Sequence, residues 1–168
     1  NQRIDRFEVT KCTPYKTLVV SGESGVGKTQ AAVRLIPNKF RSTGVNAVTF
    51  YEKLSRNETY ASYLMKIEDA ATPAERNDNA AELLQSVWLS ILALVRKESK
   101  QEPAIALKNH HVCLVLDELG SYRNTVRGLI AVQESFRAVC GDSTQLPFSL
   151  VLVGTGLDYT VADYSSVI

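Results

Sequence analysis

The sequence has few cysteines, almost no excess of charge and no long apolar run. Its three cysteines, Cys12, Cys113 and Cys140, are odd in number and widely spaced, which favours a reducing compartment over a disulfide framework. Lys and Arg number 19 against 18 Asp and Glu, so a net charge of +1 excludes a chain-wide field that would gather nucleic acid or an anionic membrane. The longest apolar stretch, Val87 to Val95, is interrupted by Ser90 and is far shorter than the ~20 residues of a membrane-spanning helix. We therefore expect an intracellular protein, cytoplasmic or nuclear, with no membrane partner.

What is present is enough apolar material for one core. The chain has 168 residues, 45% of them hydrophobic, and we expect residues 1–168 to form a single domain. Short apolar runs rich in β-branched residues predict strands at 15–20, 45–51, 112–116 and 148–153. Their apolar residues are continuous rather than alternating, which is typical of strands that are buried on both faces of a parallel sheet.

The segments between these runs have helical periodicity. One helix is predicted at 27–36, before Pro37, and a second begins at Thr72, Pro73 and Glu75, which form a typical helix start. The apolar face of the second helix, which continues to about Lys97, consists of Leu84, Val87, Trp88, Ile91, Leu94 and Val95. A third helix at 123–140 has the apolar positions Leu129, Val132, Phe136 and Val139. The alternation predicts an α/β fold of three layers, with a mostly parallel, doubly wound sheet flanked by helices.

The first motif lies between the first predicted strand and the first predicted helix. Residues 22–29 read Gly-Glu-Ser-Gly-Val-Gly-Lys-Thr, the phosphate-binding pattern G-x-x-x-x-G-K-[ST]. Glycines let backbone N–H groups surround an anion, Lys28 reaches the β- and γ-phosphates, and the Thr29 hydroxyl ligates Mg²⁺. We expect the nucleotide to be bound by Gly22, Glu23, Ser24, Gly25, Val26, Gly27, Lys28 and Thr29.

Two adjacent carboxylates follow the third predicted strand. Successive side chains at the end of a strand diverge in direction, so Asp117 and Glu118 are suited to different tasks. We expect Asp117 to hold Mg²⁺ through a water ligand of the ion, and Glu118 to face the γ-phosphate and orient the attacking water. Thr29 and Asp117 are thus the predicted metal ligands.

A third motif ends the fourth predicted strand, where Thr155 stands between Gly154 and Gly156. A hydroxyl at this place can hydrogen-bond the catalytic water or the γ-phosphate and so report which nucleotide is bound. The alternative is a tight turn that leaves a buried strand. With this motif, the predicted catalytic residues are Lys28, Glu118 and Thr155.

Together the three motifs resemble those of the P-loop NTPases that carry an extra catalytic glutamate and a polar sensor strand, the group that contains the AAA+ and STAND ATPases. Residues 22–29 look like Walker A, residues 112–118 look like Walker B, and Thr155 looks like sensor 1. The resemblance covers residues 15–158. The Gly-Thr-Gly exit is also similar to the ATPase modules of Crinkler and retrotransposon-hot-spot proteins.

The resemblance implies an activity, a topology and further sequence. It implies Mg-dependent ATP binding and hydrolysis coupled to a conformational change, with ATP and Mg²⁺ as cofactors. In such folds the Walker B and sensor strands lie beside the P-loop strand. A fifth strand, a sensor 2 arginine and a helical lid would follow, so we expect residues 1–168 to be the N-terminal and central part of a longer ATPase. Such a part would be slow on its own and would need further domains or subunits as partners.

Other nucleotide-dependent functions stay open at this point. Asp117 to Gly120 also reads as the D-x-x-G of a GTPase, although no N-K-x-D follows and the separation of Lys28 from Asp117 is long for a compact GTPase. A small-molecule kinase is less suited to paired carboxylates, which favour activation of water. A nucleotide-gated scaffold would bind ATP with little turnover and signal through the helix of Trp88, but an intact Glu118 argues against a purely binding role.

Weaker candidates have simpler interpretations. His110 and His111 are adjacent and therefore point in different directions, and no cysteine or carboxylate cluster accompanies them, so we interpret them as loop residues rather than metal ligands. An arginine finger for a neighbouring subunit would come from Arg123, Arg127 or Arg137, which solvent-facing helix positions also explain. The Tyr51–Tyr63 region mixes aromatic and basic residues, a thin indication of contact with single-stranded nucleic acid.

Overall fold

The architecture is a mixed α/β fold built on one parallel sheet. The computed structural model describes residues 17–21, 27–35, 38, 44, 46–120, 122–138 and 148–154. The strands are β1 (Thr17–Ser21), β2 (Asn46–Lys53), β3 (His110–Asp117) and β4 (Phe148–Gly154). Every residue of β4 and all but the first residue of β3 are buried, whereas β2 is mostly half-buried. The four predicted strands are confirmed, and the burial of β3 and β4 on both faces explains why their apolar residues run without alternation.

The order of the strands corrects one expectation. It is β1-β4-β3-β2, with every pair parallel. The predicted sensor strand β4 does lie beside the predicted P-loop strand β1, with Ser21 level with Gly154. The predicted Walker B strand β3 does not, because β4 is inserted between β1 and β3. Among the described strands, β1 and β2 form the two edges of the sheet.

Helices and short helical turns connect the strands. They are α1 (Lys28–Gln30), a π-helical turn that continues it (Ala31–Leu35), a 3₁₀ turn (Leu54–Arg56), α2 (Glu58–Glu68), α3 (Pro73–Ser99), α4 (Pro103–Ala106) and α5 (Arg123–Ala138). The helix predicted at 27–36 is present in its described part, but its second half is wound as a π-helix. Such turns occur frequently at functional sites.

Helix α3 starts where its capping residues predict. The Thr72 hydroxyl accepts a hydrogen bond from the backbone N–H of Glu75 at 3.1 Å, and Pro73 occupies the first turn. The predicted face is largely confirmed, since Leu84, Val87, Ile91 and Val95 are buried and the Trp88 ring stacks on that of Phe148 with centroids 4.7 Å apart. Leu94 is the exception, with 43% of its surface exposed, because its position around the helix axis lies beyond the edge of the buried stripe.

Helix α2 is absent from the sequence predictions. Its N-cap is Asn57, whose side-chain oxygen accepts hydrogen bonds from the backbone N–H groups of Thr59 and Tyr60 at 3.1 and 3.2 Å. Leu64 and Ile67 are buried and lie on the helix face that packs against the core. The helix packs against α3 and α5 and contacts the 3₁₀ turn that precedes it.

Helix α5 begins at Arg123 as predicted, with its start held by α2. The Glu68 carboxylate accepts hydrogen bonds from the backbone N–H groups of Asn124 and Thr125 at 3.0 and 3.2 Å. A negative charge at a helix N-terminus is favourable because the unpaired N–H groups there carry partial positive charge. This contact links the segment after β2 with the segment after β3.

The predicted apolar positions of α5 are confirmed where they are described. Leu129 and Val132 are buried. The side chain of Phe136 and the residues Val139 and Cys140 lie outside the described part of the chain.

Buried side chains alternate between the two faces of the sheet. Leu114 and Leu150 belong to a large core with α2, α3 and α5. Val115 and Val151 point to the opposite face, where they pack with Ala32 beside α1. Helical segments therefore cover both faces, which confirms the predicted three-layer α/β class and is consistent with a P-loop NTPase-like fold. No helix in the described ranges combines the length and apolar character needed to cross a membrane.

Candidate functional site

The chemistry-bearing residues meet at the carboxyl edge of the sheet. Because all four strands are parallel, their C-terminal residues end on the same side. Lys53 is level with Asp117 across the β2–β3 pair, and Ser21 is level with Gly154 across the β1–β4 pair. Loops that leave these strands therefore share one edge, as expected for a ligand site in an open α/β sheet.

Asp117 is the centre of this edge. Only 5% of its surface is exposed, although it carries a carboxylate. Its Oδ2 accepts hydrogen bonds from the Thr29 hydroxyl at 2.7 Å and from the Tyr51 hydroxyl, and its Oδ1 accepts one from the Glu118 backbone N–H at 2.6 Å. Three donors thus stabilise a buried carboxylate that would otherwise be costly.

The bond between Thr29 and Asp117 joins two motifs that are 88 residues apart in the sequence. Thr29 ends the G-x-x-x-x-G-K-[ST] motif and stands in the first turn of α1, and Asp117 is the last residue of β3. Both predicted metal ligands are oxygen donors, the kind that Mg²⁺ prefers, and they face each other, so the donor set fits that ion. Within the described residues no group of three or more His, Cys, Asp or Glu side chains could hold a metal. Mg²⁺ does not need one, since it commonly takes one or two protein ligands and completes its coordination with phosphate oxygens and water.

Glu118 points toward the turn after β2. Its Oε2 accepts a hydrogen bond from the Ser55 hydroxyl at 2.8 Å and lies 3.1 Å from Nε of Arg56. The two partners of the ion pair are unequal in exposure, with 68% of the Arg56 side chain and 31% of the Glu118 side chain accessible. The Glu118 carboxylate is therefore bound by the 3₁₀ turn at the edge of the site.

The backbone after β3 is bent sharply to place Glu118. Glu118 has φ +59°, in the left-handed region that is unusual for a residue with a side chain, and Gly120 follows with φ +62°. Between them Leu119 is fully buried, and its N–H donates to the carbonyl of Val153 at 3.2 Å. The anchored Leu119 holds this turn between β3 and β4. Left-handed backbone at such positions is common in functional sites because the surrounding structure compensates its cost.

Tyr51, Ser55 and Arg56 complete the site and were not predicted as site residues. Burial and the hydrogen bond to Asp117 raise the pKa of Tyr51 to about 12, so its phenol is protonated and donates at neutral pH. The signal that could have found these residues is their place at the end of the second predicted strand. In a parallel sheet that end must meet the edge where Asp117 lies.

A cavity of about 1130 Å³ opens at this edge. Its volume is slightly above the roughly 300–1,000 Å³ range of small-molecule sites. Its walls combine carboxylates with basic side chains from the π-helical turn and from β2. The lining residues are Gly27, Thr29, Gln30, Val33, Arg34, Tyr51, Lys53, Ser55, Asp117, Glu118, Gly120, Tyr122 and Gly154.

Several predicted site residues lie outside the described residues. These are Gly22, Glu23, Ser24, Gly25, Val26 and Thr155, and the side chain of Lys28 is also outside them. The end of the motif lies at the cavity, because Gly27 and Thr29 line it. Gly27 has a φ of +87°, in the left-handed region that favours glycine. The roles of Lys28 and Thr155 stay predictions.

The prediction that His110 and His111 are loop residues is wrong. His110 and His111 are the first two residues of β3, and His111 is buried with Nε2 2.8 Å from the Ser149 hydroxyl oxygen. Burial lowers the pKa of His111 to about 4, because the charged imidazolium is poorly solvated in the interior. The pair lies at the opposite end of β3 from Asp117.

The aromatic residues that indicated nucleic-acid contact have internal partners. Tyr51 donates to Asp117, and Tyr60 is buried with its hydroxyl 3.1 Å from that of Ser90. These contacts do not favour stacking on bases. Of the three arginine-finger candidates, Arg123 is exposed and Arg127 is half-buried on α5, and the Arg137 side chain lies outside the described residues. Neither Arg123 nor Arg127 lines the cavity.

No protein-family model matches the sequence, and no curated protein matches it either. Among solved structures, the chain is similar to one in the HORMA:CdnC:Trip13 complex of E. coli MS115-1, at 12% identity and a TM-score of 0.46, over 99% of this chain and 55% of that chain. It is also similar to the ORC2 protein of Aeropyrum pernix, solved as ADPNP-ADP complexes, at 11% identity and a TM-score of 0.42, over 95% of this chain and 40% of that chain. The ADP form of ORC2 gives 13% identity and a TM-score of 0.40, over 96% and 42%. The chain thus spans about half the length of these proteins or less, and the likeness concerns the path of the chain alone.

Proposed function

We propose that this chain is a P-loop NTPase domain that binds Mg·ATP and hydrolyses it. The observation that carries the proposal is the 2.7 Å hydrogen bond from the Thr29 hydroxyl to Asp117. It joins the last residue of a phosphate-binding motif to a buried carboxylate at the carboxyl edge of a parallel sheet. A chance occurrence of the motif would not be expected to meet such a partner across 88 residues of sequence.

In this proposal the nucleotide phosphates lie on residues 22–29, with Lys28 near the β- and γ-phosphates. Thr29 and Asp117 would hold Mg²⁺, which supplies charge neutralisation at the phosphate oxygens. Asp117 keeps its orientation through its three donors. Gly27, just before α1, adopts a left-handed φ that glycine tolerates, and it has no side chain that would keep a phosphate away from the backbone.

Glu118 is the proposed base that orients the attacking water, and Thr155 is the proposed polar sensor. In the conformation described, the Glu118 carboxylate is paired with Ser55 and Arg56. While Oε2 of Glu118 is bonded to Ser55 and Arg56, it is not available to orient a water, so hydrolysis requires Glu118 to leave this pair. We therefore propose slow turnover for residues 1–168 alone, with further domains or subunits of an AAA+ or STAND type needed for full activity.

The same ion pair favours a second candidate, a nucleotide-gated scaffold that binds ATP with little turnover. If Glu118 stays with Arg56 when ATP is bound, the site would hold nucleotide without cleaving it. A GTPase is the remaining alternative, because Asp117 to Gly120 also reads as D-x-x-G. Both alternatives use the same phosphate and metal residues.

The test is calorimetric titration of the protein with ATP and with GTP in the presence of Mg²⁺. We expect ATP to bind and Lys28→Ala to abolish detectable binding, because the lysine supplies the charge that the phosphates need. Lys97→Ala, which removes an exposed cation from the end of α3, is the matched control and should bind like the wild type. Unchanged ATP affinity in a folded Lys28→Ala protein would refute the proposal, and tighter binding of GTP would favour the GTPase. Single-turnover hydrolysis then separates the ATPase from the scaffold.

A further inference from the structure

Tyr51 contributes a donor to Asp117 that no part of the phosphate-binding motif supplies. Its hydroxyl donates to Oδ2, the same oxygen that accepts the Thr29 hydroxyl. The two donors come from different elements, since Thr29 stands on α1 and Tyr51 on the edge strand β2. The Asp117 carboxylate thus links α1 to β2 through these two hydrogen bonds.

The register of β2 against β3 explains how Tyr51 reaches the site. Tyr51 is level with Val115, two residues before Asp117, and its ring packs against the small core on that face of the sheet. From there the ring extends toward the carboxyl edge and places its hydroxyl at Asp117. A shorter side chain at this position would not reach the carboxylate.

From these contacts we propose that Tyr51 is a positioning residue for Mg²⁺ at this site, acting through Asp117. The proposal rests on the proposed function, because it assumes that Asp117 serves the metal. Thr29 would be both a ligand and a donor, whereas Tyr51 is a donor alone and keeps the carboxylate oriented whether or not a cation is bound. A neutral phenol orients the carboxylate without cancelling the negative charge that attracts the cation, which a lysine or arginine partner would do.

The substitution Tyr51→Phe tests the hydroxyl while it keeps the ring. A fluorescent ATP analogue is titrated against the protein at a series of Mg²⁺ concentrations and in EDTA. We expect the Mg²⁺ concentration for half-maximal binding to rise about tenfold, the lower end of the range for groups that orient a metal ligand. Nucleotide affinity in EDTA should stay unchanged, since the hydroxyl does not contact the nucleotide. Tyr63→Phe, a half-buried tyrosine on α2, is the control and should leave both values unchanged.

A second background separates action through Asp117 from a structural effect. In Asp117→Asn, the further change Tyr51→Phe should leave the Mg²⁺ dependence where Asp117→Asn alone puts it, because the group on which Tyr51 acts is already altered. An equal further loss in that background would overturn the proposal. So would unchanged Mg²⁺ dependence in the single variant, loss of nucleotide affinity in EDTA, or loss of the folded circular dichroism spectrum.

Failure of this inference and failure of the proposed function give different results. If the wild-type protein binds the ATP analogue with Mg²⁺ and Tyr51→Phe is indistinguishable from it, only the role of Tyr51 is wrong. If the wild-type protein binds no nucleotide under any condition, the proposed function is wrong and the role of Tyr51 is refuted with it.

Discussion

Nε of Arg56 lies 3.1 Å from Oε2 of Glu118 and ties the carboxylate that follows β3 to the turn that follows β2. Ser55 reaches the same oxygen atom at 2.8 Å. Both contacts come from one 3₁₀ turn, which α2 then anchors to the core through Leu64 and Ile67. The position of the proposed base is therefore linked to an element outside the phosphate-binding motif.

Release of this pair should raise the rate of hydrolysis. In Arg56→Ala we expect single-turnover ATP hydrolysis to rise by no more than about fivefold, because an exposed ion pair contributes only ~0.2–1 kcal/mol. The matched control is Arg96→Ala, which breaks a comparable exposed pair, with Glu102 at 3.2 Å, at the end of α3. A fall in the rate would mean that Arg56 itself assists the reaction.

The carboxylate of Glu118 should serve cleavage and not binding. Glu118→Gln keeps the shape of the side chain and removes its charge, so ATP should still bind while turnover falls by roughly 10²-fold or more, the scale of lost general-base catalysis. Binding is measured by calorimetry and turnover by phosphate release, with Glu102→Gln as the control. Equal turnover in Glu118→Gln and the wild type would be inconsistent with the role given to this residue.

Buried His111 should make stability depend on pH. The pKa of His111 is lowered to about 4 in the folded chain, below the ordinary 6.5, so between these values the unfolded chain binds more protons and stability falls as the pH falls. Below about pH 4 this contribution is fully lost. Between pH 7.5 and pH 5 we expect His111 to account for a loss of about 2 kcal/mol in the free energy of unfolding.

Urea unfolding of the wild type and His111→Gln at both pH values measures this difference. The variant should lose about 2 kcal/mol less than the wild type on acidification. His110→Gln removes the exposed neighbour at the start of β3 and should behave like the wild type. An identical pH dependence in wild type and His111→Gln would contradict a buried neutral imidazole.

The elements of the fold were predictable where one local signal dominates. The apolar run at 112–116 is long enough to require burial on both faces, and Thr72 with Pro73 specifies the start of α3 to the residue. Helix α2 was missed because only Tyr60, Leu64 and Ile67 are buried, and the apolar but exposed Met65 obscures the face that they form. The Asn57 cap was the available signal.

The contacts of the site were predictable only in part. The motif and the Asp117–Glu118 pair indicate which residues meet, because the ends of parallel strands share an edge. The contacts of Tyr51 and Arg56 depend on the register of β2 against β3 and on the turn after β2. Tyr51 is 66 positions from Asp117 in the sequence, and Arg56 is more than sixty positions from Glu118. No local pattern encodes such a register.

The most direct test of the central claim is the Mg²⁺ dependence of ATP binding in Thr29→Val. Valine keeps the size of threonine and removes the hydroxyl that bonds Asp117 at 2.7 Å. ATP affinity is measured by calorimetry in Mg²⁺ and in EDTA, with Thr59→Val on exposed α2 as the control. If Thr29 and Asp117 form the metal-bearing end of a nucleotide site, the variant loses at least about tenfold in affinity in Mg²⁺ and nothing in EDTA. The same gain in affinity from Mg²⁺ in Thr29→Val as in the wild type would contradict the account.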